Sequence, residues 1–120
     1  MADLVLIYSL FPNAGDAHDC CRTLLEERLI ASANRLAPAI SYINGQDDVV
    51  TSEEHPVFFN TSSALADTVI GRISEMHRFA VPAIVAVPAS HAAVPFSDWV
   101  ITQAKTPSLA QGIILPASKP

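Results

Sequence analysis

Four histidines, His18, His55, His77 and His91, and two adjacent cysteines, Cys20 and Cys21, are the side chains here best suited to hold a transition metal. Imidazole suits zinc, copper and nickel, whereas thiolate selects Cu(I). A structural zinc site takes four such ligands and a catalytic one three. The spacing in this chain offers only pairs. His18 stands one helical turn before Cys21. His55 follows Glu53 and Glu54 in a polar break within an apolar run, and with Glu54 it could take a divalent ion. His77 closes an amphipathic segment, where a helix dipole favours an imidazolium and the ring can cap the helix. His91 lies in a loop with no partner beside it. The candidate metal ligands are therefore His77, His55 and Glu54. Cys20 and Cys21 fall on an apolar helix face, where cysteine behaves as a small hydrophobe. A disulfide between neighbours is strained and does not suit a helix.

Catalytic signatures are missing. The chain has no Gly-x-Ser-x-Gly elbow, no P-loop, no Gly-x-Gly-x-x-Gly and no Cys-x-x-Cys. The expectation is a protein that is not an enzyme and holds no organic cofactor.

The elements that must position these residues follow from periodicity. Leu4-Val5-Leu6-Ile7-Tyr8 is a continuous apolar run of the kind found in a central strand. Pro12-Asn13 opens a helix whose apolar positions, Ala17, Cys20, Cys21, Leu24, Leu25 and Leu29, recur at three and four, predicting a helix to about Leu29. Residues 32–43 read as a second strand, kinked at Pro38. Asn44-Gly45 favours a two-residue hairpin turn with positive φ. A third strand carries Val49, Val50 and Val57-Phe58-Phe59, irregular and bulged around Pro56. Thr61-Ser62-Ser63 offers helix caps, and Leu65, Val69, Ile73 and Met76 mark a second amphipathic helix ending near His77. Residues 83–87 form an apolar strand, and Phe96, Trp99 and Val100 share a short third helix. In the tail, residues 112–116 have the composition of an added edge strand.

Two β-α-β units in this order give an α+β fold, the ferredoxin-like α/β plait (βαββαβ plus a short C-terminal helix) with an antiparallel sheet. The 120 residues make one domain, with its core over 3–105 and a C-terminal extension over 106–120. Half of the residues are apolar and only 16% are charged, which is rich for a chain this short. The surplus predicts an oligomer, because the helices cover only one face of the sheet. Tyr42, Phe58, Phe59 and Trp99 are the candidate interface or core anchors. The net charge of −5 with scattered basic residues argues against nucleic acid and anionic membranes. No basic leader precedes an apolar stretch, and a cytoplasmic location is expected.

Several segments resemble the CutA1 family of divalent-cation-tolerance proteins. They are Pro12-Asn13, Leu24-Leu25-Glu26-Glu27-Arg28-Leu29-Ile30-Ala31-Ser32-Ala33-Asn34, Asn60-Thr61, residues 76–84 (Met-His-Arg-Phe-Ala-Val-Pro-Ala-Ile) and Phe96-x-x-Trp99. The resemblance implies a trimer of ferredoxin-like subunits, related in fold to PII signalling proteins, that serves divalent metal, notably copper, tolerance. Family positions have changed, however. The family cysteine is Ser32 and another is Phe11; the hairpin aromatics are replaced by residues 43–47; two glutamates are Ala80 and Ala83; and the lysine before helix two is Asn60. The losses leave weak copper or zinc binding, or an indirect structural role. The alternatives are a PII-like sensor, holding a small anionic ligand between subunits near Arg35, Arg72 and Arg78, or a structural trimeric scaffold.

Overall fold

The computed structural model describes residues 3–105. Its elements run β1 (Leu4–Phe11), α1 (Ala14–Glu26), β2 (Ser32–Arg35), β3 (Ala39–Asn44), β4 (Val49–Ser62), a single 3₁₀ turn (Ser63–Leu65), α2 (Ala66–Met76), β5 (Ile84–Pro88) and α3 (Val94–Gln103). The sheet order is β2-β4-β1-β5, every pair antiparallel, and β3 pairs with the first half of β4. This is the expected plait. The tail segment 112–116 lies outside the described residues.

Strand alternation divides the sheet into two faces. Val5, Ile7 and Phe11 of β1 and Val57 and Phe59 of β4 are buried with Ala17, Cys20 and Leu24 of α1 and Val69 and Ile73 of α2. The three- and four-residue spacing read in the sequence is the stripe that makes this core. Polar groups within it are satisfied: Ser9 Oγ donates to the Ala83 carbonyl at 2.8 Å and Thr61 Oγ1 to that of Leu29 at 2.7 Å. Phe59, an interface or core candidate, is fully buried and belongs to the core.

The other face carries Leu6, Tyr8 and Leu10, Phe58, and Val85 and Val87. Tyr8 and Phe58 sit opposite each other with ring centroids 5.2 Å apart. No helix of the described chain runs over these residues. α3 contacts β1 and β4. Its Ser97 and Val100 are buried, as are Leu4 and Ser62, the registered pair at that end of the face.

Four local readings are corrected. α1 stops at Glu26, because Arg28 adopts φ +61°. The Arg28 and Leu29 N–H groups donate to the carbonyls of Leu25 and Leu24, each at 3.0 Å. This is a Schellman closure with arginine in the left-handed position. Leu29 continues the apolar spacing only because it folds back beneath the helix end. Residues 32–43 divide into two strands, with Pro38 in the gap. The bulge lies there and not on β4. Arg35 faces Val57 and Ala39 faces Glu54, so three residues oppose two, while β4 runs unbroken. The Asn44-Gly45 turn is a four-residue loop instead, closed by Gly45 N–H to the Asp48 carbonyl at 2.9 Å, and no described glycine has positive φ. Glycine is needed there for close approach: a Cβ would stand 2.6 Å from that carbonyl oxygen. Lastly, Ser62 holds the cap position before the 3₁₀ turn without a side-chain cap.

Candidate functional site

His77 follows the last turn of α2, where the backbone turns extended. Its ring does not cap that helix. It crosses to the end of β1, with Nε2 2.7 Å from the Leu10 carbonyl oxygen, while Nδ1 accepts from the Phe79 N–H at 3.2 Å. A nitrogen facing a carbonyl must carry the proton, and one facing an N–H must not. These two contacts suit the tautomer that donates from Nε2 and accepts at Nδ1. The ring stacks on Phe11 (centroids 4.9 Å, planes 20° apart) and meets Phe79 at 5.0 Å. Beside it the Arg78 guanidinium pairs with Asp16 in the first turn of α1. This segment fastens the end of α2 to β1 and α1. In place of the expected helix cap, the ring is bonded to the β1 carbonyl of Leu10. Both ring nitrogens are engaged, so a metal ion could bind here only by displacing one hydrogen bond.

Glu54 and His55 are consecutive on an unbroken strand, so their side chains leave opposite faces. They cannot close on one ion. Glu54 is buried on the open face, opposite Ala39, and His55 is half-buried opposite Phe11. His55 is thus the strand partner of Phe11, whose ring stacks on His77. His18 is exposed on α1. His91 lines a hollow of about 350 Å³ beside the start of α3, with Asp3 and Asp98. Among the described residues no three His, Cys, Asp or Glu side chains converge as a metal cage would require. Burial pushes the Cys20 thiol up to about 12 and also raises that of Cys21. Protonated thiols are poor metal ligands and nucleophiles.

Sequence reasoning marked His77 but missed Phe11 and Phe79, the aromatic walls that hold it. The signal was the aromatic two residues after the histidine in His77-Arg78-Phe79. Its partner on β1 was too distant in sequence to be paired with it.

The remaining aromatics stand outside the core. Tyr42 is 76% exposed on the β3–β4 arm, with Ile40, Ile43, Val49 and Val50 also exposed. Phe58 is half-buried on the open face. Trp99 is 45% exposed on α3, stacked on Phe96 with centroids 6.2 Å apart.

Comparison with known proteins places this geometry. The family model described as CutA1 divalent ion tolerance protein matches residues 5–103. The divalent-cation tolerance protein CutA of Pyrococcus horikoshii is 28% identical over 102 residues, covering 85% of this chain and 99% of that protein. CutA of Thermus thermophilus is 29% identical over 100 residues, covering 83% and 95%. The crystal structure of CutA from Xylella fastidiosa superposes with a TM-score of 0.83 at 27% identity, covering 87% of this chain and all of that one. The match spans every element from β1 to α3, and the chain belongs to the CutA1 divalent ion tolerance protein family.

Proposed function

We propose that this chain serves divalent-cation tolerance as a cytoplasmic, non-enzymatic homotrimer that meets copper or zinc weakly, or acts through its assembly. The observation that carries this reading is the family match over residues 5–103. Two features of the chain shape it. The histidine that matches the family pattern, His77, is hydrogen-bonded at both nitrogens, which favours a structural duty there over a resident metal. The apolar open face and the exposed arm favour association with copies of the same chain, with Tyr42 and Phe58 as anchors. An anion sensor is less favoured, since two of its three candidate arginines are committed: Arg72 to Glu27 and Glu75, and Arg78 to Asp16.

Isothermal titration of the metal-free trimer with Cu(II), Zn(II) and Ni(II) tests the metal reading. Weak binding of Cu(II) or Zn(II), well short of a resident site, is expected. The absence of heat with every metal would overturn metal contact and leave assembly as the contribution of this chain.

A further inference from the structure

We infer that the groove along α3 binds a small zwitterion, a molecule with a carboxylate at one end and an ammonium group at the other, at a site built within one chain. Two hollows lie along the same side of α3 and share Asp3 and Ile101 as a common wall. One, of about 350 Å³, is at the start of the helix, and one, of about 500 Å³, is at its end. Each is lined by a buried serine, Ser97 of α3 in the first and Ser62 of β4 in the second, 7% and 6% exposed. Neither hydroxyl has a hydrogen-bond partner among the described residues, and neither is sealed from its hollow. A buried hydroxyl without a partner costs stability that a bound polar group restores. Both serines are buried by this chain alone, so association with other copies can only bury them further.

The two hollows differ in charge. At the start of α3 the wall carries Asp3 and Asp98 and neither lysine nor arginine. At the end, Lys105 stands with the hydroxyls of Ser62 and Ser63. Backbone bonds hold the flanking segments in place: the Ser63 N–H donates to the Asp3 carbonyl at 2.8 Å, and the Lys105 N–H to the Arg28 carbonyl at 2.9 Å. Among the described residues, none of Asp3, Asp98 and Lys105 takes part in an ion pair. A simple anion drawn to Lys105 would also meet the Asp3 carboxylate, and a simple cation would leave Lys105 unused. A molecule with both charges satisfies both ends. Its carboxylate accepts from Lys105 and the Ser62 hydroxyl, and its ammonium donates to Asp98 and the Ser97 hydroxyl.

Isothermal titration of the full chain with γ-aminobutyrate and 6-aminohexanoate, two spacings of the same charges, tests this. At least one should bind, and tighter than hexanoate or hexylamine. Lys105→Ala and Asp98→Ala should each weaken that binding about tenfold, with the mass by light scattering unchanged. Ser62→Ala should weaken it too, while leaving the denaturant midpoint of the ligand-free chain unchanged or higher, since the hydroxyl it removes has no partner in the fold. Failure of both zwitterions to bind would overturn the inference and leave the two serines to water. So would equal binding of hexanoate or hexylamine, or binding indifferent to Lys105→Ala and Asp98→Ala, which would place the molecule elsewhere.

Discussion

The two halves of β4 lead different lives on one continuous strand. Its second half, Val57–Ser62, lies between β1 and β2 beneath the helices, and Val57, Phe59 and Thr61 are wholly buried. Residues 49–54 pair only with β3, and Val49 and Val50 are exposed beside Ile40, Tyr42 and Ile43. Val49 and Val50 have the same β-propensity as the buried Val57, so propensity does not explain why they are exposed. The difference is what stands opposite. A strand buried by its own helices is stabilised within the chain, whereas an apolar two-stranded arm is marginal in water unless something covers it.

Substitutions at the two ends should separate these lives. Phe59→Ala removes a fully buried ring from the core and should cost about 3–5 kcal/mol of folding stability in denaturant unfolding. Tyr42→Ala, on the exposed arm, should leave the stability of the separate chain within about 0.5 kcal/mol while weakening self-association. Equal losses of folding stability at both positions would erase the distinction.

A smaller effect is expected where the core half meets α2. His77→Phe keeps the stack on Phe11 but leaves the Leu10 carbonyl and the Phe79 N–H without their partner, a cost of about 1–2 kcal/mol. His77→Gln should recover part of that, since an amide can both donate and accept. A loss in the phenylalanine variant that glutamine does not mend would mean that ring shape, not hydrogen bonding, matters there.

The smallest effect, and the one of opposite sign, sits at the end of α1. Arg28 holds φ +61°, so Arg28→Gly should stabilise the fold by about 1 kcal/mol in the same unfolding measurement. A destabilised variant would show that the arginine side chain contributes more than its strained backbone costs.

The plait was legible because it is written in periodicity. The stripes Ala17-Cys20-Leu24 and Leu65-Val69-Ile73 and the apolar strands name the core directly. The features that escaped depend on contacts between distant segments or on backbone states that a residue type does not announce. Arg28 ends a helix where glycine would have signalled the stop. Gly45 signalled a tight turn, yet it is needed for its approach to Asp48. The polar break at Glu53-Glu54-His55 suggested an irregular strand, but the extra residue is on the facing chain segment around Pro38. The site was half legible. His77 stood out by its place after α2, whereas its partners Leu10 and Phe11 come from a strand more than sixty residues earlier.

The central claim is that the open face, with Tyr8, Phe58, Val85 and Val87, is an interface between copies of this chain. Light scattering across a dilution series tests it most directly, on the native chain and on Phe58→Glu. The account predicts a native mass of three chains of 12.8 kDa each, falling toward one chain in the variant with its secondary structure retained. A native protein that scatters as a single chain at every concentration would contradict it.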